Sequence, residues 1–321
     1  MAENQQRKRA PMRRIQYDRY GGPELLRLEE YTPEAPGKGE VLVRVLAAAA
    51  NPMDWVIRKG DTRIITGRSF PRGLGHDFAG TVEAVGPGVT RFGAGDAVLG
   101  AMRMKAAGAF ADNVVADENL IVQKPEALTF EEASALPTVG VTALQGLVDK
   151  GKLQSGQSVF VHGCLGGVGR MAVQVARTRG ATVAGSCRPT VRQEAAALGV
   201  APIVDFDFDP TDLEGMFDIV FDTAGTLPLR AARKLLKSGG RIIDINPSPA
   251  KMIRGALPGS FKVLVSRYTT KDLEEVAQAA GRGKLTMPVA RTVSLEHAIE
   301  ALKELESRHT PKGGKLVITT T

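Results

Sequence analysis

Residues Val159 to Arg188 read VFVHGCLGGVGRMAVQVARTRGATVAGSCR, and this stretch decides the fold. Val159, Phe160 and Val161 form an apolar run suited to a buried parallel strand, and Gly163, Gly166, Gly167 and Gly169 make the turn after it. Gly166 lets the backbone approach a diphosphate, and Gly169 lets the next helix pack closely on the strand. Val168, Met171, Ala172 and Val175 recur at helical spacing, which gives that helix an apolar face for the sheet. A second apolar segment ends at Gly185 and Ser186. The order strand, glycine turn, helix, strand leaves the N–H groups of Gly166, Gly167 and Val168 where a diphosphate is favoured by the helix dipole. A glycine turn without a ligand is the bland alternative, and the strands on both sides favour a dinucleotide.

An acidic residue about 20 positions after such glycines usually holds the ribose hydroxyls of NAD. Here the second strand ends instead in Gly185, Ser186, Cys187 and Arg188, with Arg192 shortly after. A carboxylate would repel a 2′-phosphate, whereas a serine hydroxyl and two guanidinium groups donate hydrogen bonds to it. The expected cofactor is therefore NADP(H), held through Ser186, Arg188 and Arg192.

A chain of 321 residues, at about 100–200 residues per domain, is expected to form two domains. No apolar run approaches the roughly 20 residues of a membrane span, so no membrane partner is expected. The two cysteines, Cys164 and Cys187, lie inside the nucleotide motif, which argues against a disulfide framework and for a reducing, cytoplasmic setting. Much of the formal charge of +7 comes from Arg7, Lys8, Arg9, Arg13 and Arg14. Residues 1–14 read as a disordered basic tail without the apolar segment of a secretory signal. No basic stripe interleaved with aromatics follows, so nucleic-acid binding is not expected.

Upstream of the motif, alternation at Val41, Val43 and Val45, then strand-like segments at Gly80–Val85, Asp96–Gly100 and Phe110–Val115, are punctuated by glycine and proline. They predict a compact β-rich domain. Thr129 and Glu132 form a capping-box pattern at the crossing into the nucleotide domain, with helical runs through Leu136 and over Thr142–Val148. Downstream, strands at Ile203–Phe206, Phe217–Asp222, Arg241–Ile245 and Phe261–Val265 alternate with helical segments, which predicts a doubly wound parallel sheet. Thr223 and Asn246 follow two of those strands, at the edge where such sheets hold ligands. The last strands, near Val289–Val293 and Lys315–Thr319, flank a helix over Leu295–Leu305 and are expected to return to the first domain.

The segments Asn51–Gly60, Gly75-His-Asp-Phe-Ala-Gly80, Gly108–Asp112, Leu136–Thr142, the HGCLGGVG loop and Gly314–Val317 together resemble the medium-chain dehydrogenases and reductases, in their zinc-independent quinone oxidoreductase branch. The resemblance covers nearly the whole chain. It implies an α/β protein with a GroES-like β-rich catalytic domain, residues 15–134 with 287–321, and an inserted Rossmann domain with a doubly wound parallel sheet, residues 135–286. It also implies NADP(H) in the cleft between them, a homodimer, and cofactor contacts from Asn51, Thr142 and Lys315.

Zinc alcohol dehydrogenases of the same superfamily hold catalytic metal through two cysteines and a histidine, and here the thiolates are missing. His76 stands in their Gly-His-Glu position and Asp54 is the other candidate donor, a poor cage for zinc, so no metal is expected. Without a Lewis acid, hydride addition to a quinone or an α,β-unsaturated carbonyl places charge on a delocalised oxygen that hydrogen-bond donors can support. The implied catalytic group is Asn51, bonding the substrate oxygen or the nicotinamide ribose, with Trp55 and His76. Trp55 reads equally as a stacking platform or as core, and His76 as cleft-lining or structural. Val56 stands where many relatives carry a tyrosine. His162 reads as packing beside the phosphate loop, and His297 and His309 as surface residues. A nonenzymatic NADPH-binding protein of the same fold and a residual zinc-type alcohol dehydrogenase remain the alternatives.

Overall fold

In the computed structural model, which describes residues 11–308 and 313–320, the chain divides into two compact units. Unit 1 contains residues up to Lys124 and from Ala290 onwards apart from 312–315, and unit 2 spans Pro125–Val289 with 312–315.

Unit 1 begins with β1 (Met12–Tyr17), β2 (Arg27–Tyr31) and β3 (Glu40–Ala49). Asn51 then caps α1 (Pro52–Lys59), because Pro52 pre-sets the first turn, Asp54 bonds back to the Asn51 N–H, and Gly60 closes it at φ 90°. After α2 (Arg63–Thr66) come β4 (Arg72–Gly73), β5 (Asp77–Val85), β6 (Ala97–Ala101), β7 (Asn113–Asp117) and β8 (Ile121–Gln123). β1 pairs with β2 and β4 in a small antiparallel sheet, while β3 is the axis of the larger one, with β5 and β7 antiparallel to it. The alternation at Val41, Val43 and Val45 buries all three in one core with Phe78, Val98 and Phe110. Arg13 and Arg14, assigned from sequence to the disordered tail, are strand residues of β1. The Arg13 side chain pairs with Asp112 at 3.1 Å, and residue pairing with β2 starts at Met12. Residues 1–10, which carry the rest of the basic tail, lie outside the described residues.

Unit 2 opens with α3 (Phe130–Ser134), started by the Thr129–Glu132 capping box, and α4 (Pro137–Leu144). The second helical run therefore starts at Pro137 rather than Thr142, since proline is tolerated in a first turn, where its missing N–H has no helical partner. The next elements are β9 (Ser158–His162), α5 (Gly167–Thr178), β10 (Thr182–Ser186), α6 (Arg192–Ala197), β11 (Ile203–Val204) and β12 (Phe217–Asp222). Then follow α7 (Leu229–Leu235), β13 (Leu236–Asp244), α8 (Pro249–Ala256), β14 (Phe261–Val263) and α9 (Thr270–Gly281). The six strands lie in the order β11-β10-β9-β12-β13-β14, all parallel, so the order reverses beside β9, the strand that carries the glycine turn. In open α/β sheets this switch point is where ligands bind.

The chain ends with β15 (Val289–Ser294), α10 (Ala298–Arg308) and β16 (Lys315–Thr319). β16 pairs antiparallel with β3, Val317 opposite Ala49, and Leu302 and Leu305 of α10 join the unit 1 core. The C-terminal segment thus completes unit 1, each fully buried leucine contributing about 1.5–3 kcal/mol.

Candidate active site

In unit 2 the backbone turns at Gly163 with φ 80°, a left-handed conformation, and Gly166 forms the N-cap of α5. Gly166 has no side chain to bond the first-turn N–H groups, so those of Gly167 and Val168 stand at a bare helix N-terminus suited to an anion. A Cβ on Gly169 would meet the Gly163 carbonyl oxygen at 2.1 Å, which shows how closely α5 lies on the turn. Asp222 at the end of β12 accepts from the N–H groups of Ala224, Gly225 and Leu227 and so shapes the next loop. The Thr223 hydroxyl donates to His162 O at 2.7 Å, and Asn246 packs against Gly225. Gly163, Gly166, Gly167, Val168, Thr223 and Asn246 therefore gather at one edge of the sheet. Thr142 on α4 is buried and donates to Ser266 Oγ at 3.1 Å. Lys315 is a buried residue that starts β16, its N–H donating to Pro288 O.

Two of the three expected 2′-phosphate contacts are corrected by the geometry. Ser186 is completely buried, accepts from Gly163 N–H at 3.1 Å and lies 2.8 Å from His162 Nδ1, so its hydroxyl serves the turn rather than a surface phosphate. Arg192 pairs with Asp205 at 2.8 Å, which offsets its charge. Arg188 is exposed and makes no side-chain bond among the described residues.

His162 does more than pack. Its Nδ1 faces the Ser186 hydroxyl and its Nε2 faces Thr226 Oγ1 at 3.0 Å, which ties β9 to β10 and to the loop after β12. Burial holds its imidazole down at about 4, against 6.5 in the unfolded chain. The unfolded state binds the extra proton within that window, so stability is lost as pH falls from 6.5 to 4. Asp222 acts in the opposite sense: burial raises its carboxyl from 3.8 to about 6, so the fold gains stability as pH falls through that range. The two terms oppose each other in the intact protein. A His162→Asn variant separates them: relative to it, the wild type is expected to lose up to about 3 kcal/mol between these pH limits, read from urea unfolding. Parallel pH curves for the two proteins would contradict the assignment.

Unit 1 supplies a second polar cluster. Asn51, Asp54, His76 and Asp77 are each 1% exposed or less. One Asp54 oxygen accepts from Asn51 N–H at 2.8 Å and the other lies 2.7 Å from His76 Nδ1, while Asn51 Nδ2 donates to Asp77 Oδ2 at 2.9 Å and to Ala49 O at 3.3 Å. Both N–H bonds of the Asn51 amide are thus turned to the fold, which corrects the expectation that it donates to a substrate oxygen. Asp77 thus holds the Asn51 side chain against the end of β3. His76 Nε2 is buried and without a partner among the described residues. Trp55 is half-buried against the unit 1 core, the packing alternative for this residue. His297 is exposed beside Ser294, and His309 lies outside the described residues.

Sequence reading set His76 beside Asp54 only as a poor pair of metal donors and did not anticipate the bond between them. The i to i+3 spacing of Asn51 and Asp54 ahead of a helix was its only local signal. Zinc does not fit these donors: Asp54 takes His76 Nδ1, both cysteines sit in unit 2, and no group of three or more His, Cys, Asp or Glu side chains among the described residues is placed to hold a metal.

A parallel sheet with its glycine turn at the switch point, joined to a β-rich unit built from both chain ends, defines a nicotinamide-type dehydrogenase architecture. The GroES-like domain of alcohol dehydrogenases matches residues 37–126, and the zinc-binding dehydrogenase family matches residues 198–318. A chloroplastic quinone oxidoreductase of Triphysaria versicolor is 31% identical over 96% of this chain and 98% of its own length. A chloroplastic NADPH-dependent alkenal/one oxidoreductase of Arabidopsis thaliana is 30% identical, over 94% and 78% respectively. The quinone oxidoreductase structure from Coxiella burnetii superposes with a TM-score of 0.86 at 29% identity, covering 97% of this chain and all of that one. The chain belongs to the medium-chain dehydrogenase/reductase superfamily, among its quinone oxidoreductase-like members, and is an oxidoreductase. No helix among the described residues is long and apolar enough to cross a membrane.

Proposed function

We propose that this protein is an NADPH-dependent oxidoreductase that transfers hydride to a quinone or an α,β-unsaturated carbonyl without a metal. The observation that carries the reading is the uncapped N-terminus of α5, pressed against the Gly163 turn, with the unpaired Arg188 guanidinium at the end of β10. The residues fit a dinucleotide: Gly166, Gly167 and Val168 would hold the diphosphate, Thr223 and Asn246 would line it, and Arg188 would hold the 2′-phosphate. Thr142 and Lys315, both of unit 2, complete the expected contacts. When bound, a reduced nicotinamide supplies the hydride.

What the chain itself supplies is orientation, a dry environment and polar support for the negative charge that grows on the substrate oxygen. In unit 1, Asp54 fixes the His76 ring with the proton on Nδ1, so Nε2 would serve as an acceptor for a substrate hydroxyl. Trp55 contributes an apolar surface. The relatives named for quinone and alkenal reduction support the substrate class.

The test is NADPH consumption against a panel of quinones and enones. Saturable NADPH binding with no oxidation across both panels would favour a binding protein, and activity lost to a chelator with stoichiometric metal would favour the zinc enzyme. For the cofactor, Arg188→Glu is expected to weaken NADPH about 10–100-fold while leaving NADH nearly unchanged, because one charge-assisted bond is worth about 1.5–3 kcal/mol. Equal losses for both cofactors would remove the 2′-phosphate site. The same reading includes a reducing compartment such as the cytoplasm and a homodimer through the nucleotide units, where Met252, Ile253 and Leu257 leave apolar surface exposed on and just after α8. Light scattering of the purified protein reads the dimer directly.

A further inference from the structure

Three arginines are buried among the described residues: Arg58, Arg72 and Arg170, at 1%, 6% and 4% exposure. Arg58 ends on Glu306, and Arg170 on Glu194 at 2.6 Å. Arg72 has no carboxylate among the described residues. Its Nη2 donates to Thr66 O at 2.7 Å and lies 3.4 Å from Ser69 O, while Nη1 is buried with no partner among the described residues. Its Cζ stands 5.8 Å from the centre of the Tyr20 ring and 5.7 Å from that of Phe70. Carbonyl dipoles and ring faces offset part of the cost of burying a cation, but a buried charge is ordinarily paired with an opposite one.

Directly opposite Arg72 in the β1–β4 ladder is Tyr17, so the two side chains leave the same face. Tyr17 is fully buried, and its hydroxyl has no partner either. Its ring meets the same Phe70 edge-on, with centroids 6.0 Å apart. Burial pushes the phenol up to about 12, so the group remains an O–H donor at ordinary pH. Two unpartnered donors, one of them cationic, thus share one face against one aromatic ring. A water molecule would complete the hydrogen bonds and leave the guanidinium charge uncompensated, whereas an anion does both. The charge of Arg58 also reaches Tyr17 but is held by Glu306, so the one guanidinium left to compensate, Arg72, matches a monoanion better than a phosphate.

We propose that Arg72 and Tyr17 form a binding site for a small carboxylate within unit 1, with guanidinium Nη1 and the phenol O–H donating to its oxygens. The site lies outside the nucleotide unit and does not depend on the proposed hydride transfer. Thermal unfolding of the full chain with sodium formate, against sodium chloride at equal ionic strength, tests it. The expected result is a saturable rise with formate, roughly 5–10 °C at a hundred times its Kd, absent from Arg72→Gln and smaller in Tyr17→Phe. No difference between formate and chloride, or a full rise retained in Arg72→Gln, would overturn the site. If Arg72→Gln does not fold, Tyr17→Phe removes one hydroxyl and keeps the question open to measurement: an unchanged formate Kd there overturns the proposal. Because the readout is unfolding without NADPH or substrate, its outcome is independent of whether turnover is found.

Discussion

Gly169→Ala is expected to weaken NADPH binding by about 100-fold or more. The new Cβ would stand 2.1 Å from the Gly163 carbonyl oxygen and 2.9 Å from Thr223 Oγ1, and the nearer neighbour is backbone that cannot swing aside. The start of α5 must therefore move off β9, carrying the Gly167 and Val168 N–H groups away from the diphosphate. Losing two charge-assisted bonds at about 1.5–3 kcal/mol each accounts for the loss. The same shift loosens Met171, Ala172 and Val175, all buried, so overpacking should also lower stability by about 1–3 kcal/mol. Gly93→Ala is the control, since a Cβ there meets nothing within 4 Å and stability should hold to about 0.5 kcal/mol. Fluorescence titration of NADPH and urea unfolding read the two effects. Wild-type affinity in Gly169→Ala would show that this turn does not hold the cofactor.

The second large effect is expected at Asp54. Asp54→Ala removes the acceptor of both Asn51 N–H and His76 Nδ1, leaving two buried polar groups unpaired at the start of α1. Each orphaned group costs about 1–3 kcal/mol, so a total loss of about 3 kcal/mol is expected, a fall of roughly 6–12 °C in Tm. Asp54→Asn keeps an acceptor and should lose about half as much. Nitrogen NMR of histidine provides a readout that stability alone does not: His76 should change its tautomer balance in Asp54→Ala, because nothing then holds the proton on Nδ1. An unchanged His76 signal would mean that the pair is mere proximity.

The nucleotide unit was legible because its signals are local. Glycines at fixed offsets, an apolar strand before them and a helical stripe after them all lie within Val159–Ser186, and the backbone follows them residue by residue. The alternation in β3 was legible for the same reason. Helices α1 and α9 were not anticipated, although Asn51-Pro52-Met53-Asp54 and Thr269 with Asp272 each carry a capping pattern. The eight residues of α1 give weak periodicity and its start signal also serves turns, whereas α9 carries Leu273, Val276, Ala277 and Ala280 at helical spacing, a signal the sequence reading passed over.

The site residues divide on a different line. Ser186 and Arg192 have the right chemistry for a phosphate, yet one is buried against His162 and the other is held by Asp205. Residue type states what a side chain can donate, and its neighbours decide whether the donor is already spent. Asn51 shows the same limit, its amide turned to Ala49 and Asp77.

By itself the sequence determined the class of fold, the dinucleotide turn and the absence of an acid at the end of β10, because each follows from contiguous residues. The tertiary structure alone decided which donors remain available. It joined His76 to Asp54 across 22 positions, His162 to Ser186 across 24, and β16 to β3 across most of the chain, and it left Arg72 buried opposite Tyr17 without a counter-charge among the described residues. The physical reason is that glycine conformation and apolar periodicity act through the local backbone, whereas hydrogen-bond satisfaction is settled only by the groups that folding brings within about 3 Å.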